Sequence, residues 1–253
     1  GSSGNCALIR SEDKYLLIDM GKSCRTTLTA LKSLGLAVSD CVGILVTHEH
    51  SDHVSGLDTF LKKHPVPLYG CADTLDTLAP RGTIPPAVEA IPVDGQTLEI
   101  GSFTVTSFPT SHYVPCCAYR TRTPEGRVMA FATDLGYLTP VVQDNLMGCD
   151  LVALEANYDA FSLHGGPYPY YLKVRIASDR GHLDNKACAA EILDLIQDGC
   201  KKFALCHLSQ TNNSPELVMT TVYNVLLAAG IQPGRDVLIQ TQSRSEVSPY
   251  IEF

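Results

Sequence analysis

The chain has 253 residues, 45% hydrophobic and 18% charged, a balance that excludes a disordered tail protein or a coiled coil and leaves enough apolar material for a sizeable core. Its 19 Lys and Arg stand against 27 Asp and Glu, net −8, so nucleic acid or an anionic membrane surface would be repelled unless a local basic track or bound cations intervened. No run approaches the roughly 18 apolar residues of a membrane span, and Gly1-Ser2-Ser3-Gly4-Asn5 lacks the pattern of a leader, so no membrane insertion or secretion is expected and a cytoplasmic location is.

No repeat or flexible linker divides the sequence, and one domain over residues 1–253 is expected. Taken in chain order, the apolar patterning predicts a strand at 15–19, a helix at 24–34 stopped by Gly35, and a strand at 42–46. A helix follows from 51 or 52 to 63, with Val54, Leu57, Phe60 and Leu61 on one face. Strands are predicted at 103–108, 128–132 and 151–154, a helix at 186–197 and a strand at 203–206. Ser214-Pro215-Glu216 opens a further helix striped by Val218, Val222, Val225 and Leu226 and ended by Gly230, and a last strand spans 237–240. Strands and helices are interspersed without strict alternation, which fits a layered α/β protein better than a regular barrel. The ten cysteines are scattered, with only Cys116 and Cys117 adjacent and no CxxC pair, and read as small buried apolar residues.

The informative segment is Thr47-His48-Glu49-His50-Ser51-Asp52-His53, directly after a predicted strand and opening a helix. Imidazole and carboxylate are the usual ligands of zinc and similar divalent ions, and a strand-to-helix turn holds such groups rigidly toward one cavity. The pair His48 and His50 suits one ion, and Asp52 with His53 a second. Two ions need more ligands at the ends of other strands, and His112, Asp134 and His207 each lie just beyond an apolar run. Singly, these three would read as structural histidines and a turn residue; beside the cluster they become ligand candidates.

HxHxDH followed by separate His, Asp and His residues resembles the metallo-β-lactamase fold superfamily of binuclear hydrolases. Residues 1–6, Pro167-Tyr168-Pro169, Gly181-His182-Leu183-Asp184-Asn185 and the stretch His207-Leu208-Ser209-Gln210-Thr211-Asn212-Asn213 make nearly the whole chain similar to the WalJ/YycJ group of bacterial proteins. The resemblance implies a four-layer αββα sandwich of mixed sheets with outer helices. It implies His48, His50 and His112 on one metal, Asp52, His53 and His207 on a second, and Asp134 bridging both, with zinc, manganese or iron as the divalent ions. Asp134 and Asp52 are thereby both catalytic and ligating. The activity implied is cytoplasmic exonuclease action on DNA ends, 5′ to 3′, by attack of a metal-bridging hydroxide on the phosphodiester, in a group associated with a cell-wall two-component system. A strand usually precedes the Gly/Ser turn in that superfamily, so a few residues are expected to be missing before Gly1.

His182 is the candidate proton donor or phosphate-oxygen partner, with a helix-start histidine as the plain alternative. Glu155 and Asn157 follow an apolar strand and are expected to support the ligands, although Glu155 also reads as a strand-end carboxylate. Lys173, Arg175 and Arg180, just downstream of Tyr168, Tyr170 and Tyr171, are candidate substrate-binding residues that could track a DNA backbone and stack a terminal base; a solvated loop explains them almost as well. Metal-dependent DNA hydrolysis is therefore the leading reading. A hydrolase of a small thioester, lactone or cyclic phosphodiester, and a non-catalytic partner in cell-wall signalling, are the alternatives. The sequence is silent on oligomeric state.

Overall fold

The computed structural model describes residues 3–253. Five strands, β1 (Ala7–Ser11), β2 (Lys14–Ile18), β3 (Cys41–Val46), β4 (Leu68–Gly70) and β5 (Ala90–Pro92), lie in that order in one sheet, antiparallel between β1 and β2 and parallel beyond. Seven more, β6 (Thr97–Ile100), β7 (Phe103–Pro109), β8 (Cys117–Arg122), β9 (Val128–Ala132), β10 (Leu151–Glu155), β11 (Lys202–Cys206) and β12 (Leu238–Thr241), form the second sheet. It runs antiparallel from β6 to β9 and parallel from β9 through β10 and β11 to β12.

Helices α1 (Cys24–Ser33), α2 (Ser51–Val54), α3 (Leu57–Leu61) and α4 (Ala72–Leu78) supply Leu31, Val54, Phe60 and Leu78 to a core against the first sheet. The remaining helices are α5 (Pro140–Leu146), α6 (Ala160–Gly165), α7 (Tyr170–Ile176), α8 (Asn185–Gln197) and α9 (Pro215–Ala228). Of these, α5, α8 and α9 pack Val142, Ile192 and Val222 onto the second sheet.

Period-two alternation assigns each strand residue to a layer. In β2, Leu16 and Ile18 face the other sheet while Tyr15 and Leu17 face the helices; in β9, Met129 and Phe131 face inward and Val128, Ala130 and Ala132 outward. The central core joins Leu16, Ile18 and Leu45 of one sheet to Phe103, Tyr119 and Phe131 of the other. This is the αββα sandwich that the resemblance implies. All ten cysteines are free and nine are buried, with Cys6 exposed. Among the described residues, no helix is long and apolar enough to cross a membrane.

One expected element is broken. The helix over 51–63 is two short ones: Ser55 and Gly56 keep a right-handed helical backbone, but the helical hydrogen-bond ladder is interrupted at Gly56 where residues 20–22 cross. The Gly56 N–H donates to the Met20 carbonyl at 2.9 Å, and a Cβ on Gly56 would lie 1.9 Å from the Lys22 carbonyl oxygen. Gly21 is equally confined, its would-be Cβ 1.7 Å from the Asp52 carbonyl oxygen. The backbone after β2 is thus pressed against the HxHxDH turn at Asp52 and against Gly56 just beyond it. Gly56→Ala is expected to destabilise the fold by about 1–3 kcal/mol, because neither backbone can give way without moving the other; thermal denaturation against wild type checks it.

The other predicted elements are present within one or two residues of their expected ends. Asp184 caps α8 by accepting from Lys186 and Ala187 N–H, and Ser214 caps α9 by accepting from Leu217 N–H.

Candidate metal centre

The site lies where parallel strands end. Asp19 follows β2, His48 to His53 follow β3, His112 follows β7, Asp134 follows β9, Glu155 closes β10 and His207 follows β11. Both sheets therefore contribute to one edge, the edge at which α/β sheets commonly place ligands. Three of these residues turn the chain sharply: Asp19, Asp134 and His207 have left-handed backbones with φ of 60°, 57° and 56°. Aspartate tolerates that conformation better than most residues, and histidine less so.

The side chains converge in overlapping groups. Ligand atoms of His48, His50 and His112 lie within 4.8 Å of one another, as do those of Asp52, His53 and His207. Asp134 sits between these trios: its carboxylate is 3.3 Å from His53 Nε2, 3.7 Å from His207 Nε2 and 3.9 Å from His112 Nε2. A further group joins Asp134 with Glu155, His182 and His207.

Hydrogen bonds behind the ligands fix which nitrogen faces the centre. His53 Nδ1 is 2.7 Å from the fully buried Asp19 carboxylate, which also accepts from Thr47 N–H at 2.8 Å. His112 Nδ1 lies 3.2 Å from the Gly181 carbonyl, and His207 Nδ1 lies 2.6 Å from Glu155 Oε1. Each imidazole thus commits Nδ1–H outward and turns Nε2 inward. Inside, His112 Nε2, His207 Nε2 and Asp134 Oδ2 are buried with no hydrogen-bond partner. Buried polar atoms left in this state need an occupant, and a set of borderline imidazole and hard carboxylate donors fits a divalent transition metal.

Asp19 and Asn5 were not among the site residues expected from sequence. Asn5 Nδ2 is 3.0 Å from His53 Nε2 and 3.3 Å from Asp52 Oδ2, and its backbone N–H donates to the Asp52 carbonyl at 2.7 Å. The one sequence signal for Asp19 is an acid directly after the apolar run Tyr15-Leu16-Leu17-Ile18. Its partner His53 is 34 positions away, which no local pattern connects.

Electrostatics divides the imidazoles. Burial pushes His48 down to about 2 despite the nearby Asp134 carboxylate, and burial also lowers His112, so both are neutral and have lone pairs to offer. Burial works against a charged His207 too, but the Asp134 carboxylate, the Asp52 carboxylate 3.7 Å from Nε2 and the hydrogen bond to Glu155 outweigh it and lift the imidazole to about 9. For Asp134, burial opposes ionisation while His207, His53 and His48 hold the carboxyl well below its ordinary range. Metal-free protein therefore carries a proton on His207 at neutral pH, and a ligating imidazole must lose it. Zinc uptake near pH 7.5 should release about one proton from His207, and affinity should rise as pH increases toward 9. Titration in weak buffer with a pH indicator measures this directly.

The expected supporting residues are at hand. Glu155 is fully buried; its Oε1 accepts from His182 Nδ1 at 2.8 Å and from His207 Nδ1, and its Oε2 accepts from Leu135 and Leu183 N–H. Asn157 donates to the His207 carbonyl at 2.9 Å. His182 lines an open cleft of about 280 Å³ together with Asp52, His112, Asp134 and Arg175. The three basic residues separate. Arg175 lies on the cleft wall with its guanidinium 4.5 Å from the Tyr113 ring centroid. Arg180 donates to the carbonyls of His112 and Tyr113, at 3.1 and 3.3 Å, and Lys173 to that of His164 at 2.7 Å; neither is among the residues described as lining the cleft.

Comparison with known proteins adds four findings. The family described as the beta-lactamase superfamily domain matches residues 14–207. Exodeoxyribonuclease YycJ of Bacillus anthracis is 35% identical over 235 residues, 92% of this chain and 89% of that protein. Exodeoxyribonuclease WalJ of Streptococcus pneumoniae (serotype 2, strain D39) is 31% identical over 256 residues, covering 100% of this chain and 95% of that protein. Among solved structures, the metallo-β-lactamase fold protein YhfI from Bacillus subtilis aligns with a TM-score of 0.71 over 96% of this chain and 90% of that one, at 19% identity.

Proposed function

The chain belongs to the beta-lactamase superfamily and is a metal-dependent hydrolase, and on that premise we propose that it is a binuclear phosphodiesterase that shortens DNA from an end. The observation that carries this reading is the shared Asp134, placed between two ligand trios at the floor of an open cleft. Similarity over 92% and 100% of the chain to two proteins named exodeoxyribonucleases supports DNA as the substrate.

In this reading His48, His50 and His112 hold one ion, Asp52, His53 and His207 the other, and Asp134 both. When bound, two divalent ions such as zinc or manganese supply hydroxide at neutral pH and offset the charge that builds on a phosphate oxygen. The protein's own groups do the rest. Asp19, Glu155 and the Gly181 carbonyl lock His53, His207 and His112 in the ligating tautomer. His182 is held by Glu155 through Nδ1–H, and only as the imidazolium, with a second proton on Nε2, would it donate that proton to the departing sugar oxygen or hydrogen-bond a phosphate oxygen. Arg175 on the cleft wall provides a cation for the phosphate, which matters in a chain of net charge −8. Cleavage is proposed to run 5′ to 3′.

A time course with 5′-phosphorylated, end-labelled single- and double-stranded DNA, in Mn²⁺ or Zn²⁺ with a chelator control, tests the reading. Stepwise shortening from the 5′ end, abolished by chelation, is expected. Intact DNA with both metals bound, alongside turnover of a small thioester or lactone, would overturn it.

A further inference from the structure

Helix α7 has two faces. Leu172, Arg175 and Ile176, spaced i, i+3 and i+4, line the cleft. Tyr170, Tyr171 and Val174 share the other face and are 82%, 73% and 50% exposed. No residue of α7 is buried, so packing of the core does not explain three apolar side chains in water. Tyr168, just before the helix, lines the cleft and brings its hydroxyl within 3.2 Å of Thr211 Oγ1, so aromatic surface continues from the cleft mouth onto the helix.

Charge narrows the occupant. Between residues 160 and 182 three cations stand against one acid, Asp179: Arg175 faces the cleft, while Lys173 and Arg180, whose donors are held by backbone carbonyls, add positive potential nearby. Exposed rings next to cations beside an open cleft suit a polyanion with flat apolar groups, and an unpaired nucleic-acid strand has both. Bases in a duplex keep their faces against one another, out of reach of a surface tyrosine.

We propose that the outer face of α7, through Tyr170 and Tyr171, is a stacking platform for unpaired bases of the strand whose terminal phosphodiester lies in the cleft; this rests on the phosphodiesterase reading. The enzyme then engages a single-stranded end or overhang, and the adjoining bases leave the cleft across α7.

The test is binding of metal-loaded protein to two hydrolysis-resistant phosphorothioate strands of equal length, an oligothymidylate and an abasic strand with the same backbone. Wild type is expected to bind the thymidylate at least about tenfold more tightly, the Tyr170→Ala/Tyr171→Ala variant to lose that preference, and Tyr170→Phe/Tyr171→Phe to keep it. Equal affinity of wild type for both strands, or a preference that survives the alanine variant, overturns the platform. So does a concentration-dependent dimer that the alanine variant abolishes while base preference stays. Degradation of unmodified DNA is followed separately. Base preference without degradation leaves the platform standing and removes the nuclease reading; degradation without base preference does the reverse.

Discussion

Asp134→Asn is expected to lower phosphodiester hydrolysis by roughly 10³-fold or more while leaving the far-ultraviolet circular dichroism unchanged. The side chain keeps its shape, and asparagine adopts the left-handed backbone of this position (φ 57°) as readily as aspartate, so the turn after β9 should survive. What goes is charge. The carboxylate is the anion shared by imidazoles at 3.3, 3.7, 3.7 and 3.9 Å, those of His53, His207, His182 and His112. A neutral amide cannot serve two cations at once, so metal content should fall with activity. Elemental analysis beside the rate assay checks both, and a variant that keeps two metals and full activity would remove Asp134 from the mechanism.

Glu155→Gln should cost at least about 100-fold in activity, for a different reason. Two buried backbone donors, Leu135 and Leu183 N–H, both rest on Oε2 at 3.1 and 3.2 Å. The glutamine carbonyl must stay with them, because turning the amide would set a donor against two donors. The amide NH₂ then faces His182 Nδ1 and His207 Nδ1, where Glu155 Oε1 accepted at 2.8 and 2.6 Å. Both rings have to offer a lone pair at Nδ1 and carry their proton on Nε2. For His207 that is the atom pointing at Asp52 and Asp134, now closed to metal. Metal affinity by chelator competition, measured with the rate, distinguishes this from unfolding; unchanged affinity would refute the tautomer argument.

The segments that carry the seven candidate ligands were legible from sequence, because each is a short apolar run followed by His or Asp, and the cluster at 48–53 gave weight to three isolated residues that are unremarkable singly. Residues that act on a ligand from behind were less so. Glu155 could be guessed from its place after Leu151 to Leu154, whereas Asp19 could not, since its role exists only once β2 and β3 lie side by side. Gly56 reads as a tolerable helix residue until the Lys22 carbonyl is found against it. Counting cations between 173 and 180 could not reveal that Arg180 spends its donors on backbone carbonyls while Arg175 faces the cleft. The short strands β4 and β5, three residues each, hold too few side chains to show a period at all.

The left-handed turns at Asp19, Asp134 and His207 set evolution a bargain at the edge where the two sheets meet. Each non-glycine residue held there costs on the order of 1 kcal/mol that glycine would not, yet each supplies a side chain to the centre or to its immediate support. Glycine would relieve that strain, but at Asp19 it would also strip the buried Thr47 N–H and His53 Nδ1 of their acceptor, so backbone relief and lost buried hydrogen bonds oppose each other there. The backbone cost at these positions is thus carried for side chains that the site uses, and a stabilising programme that optimised this edge by backbone preference alone would dismantle the site first.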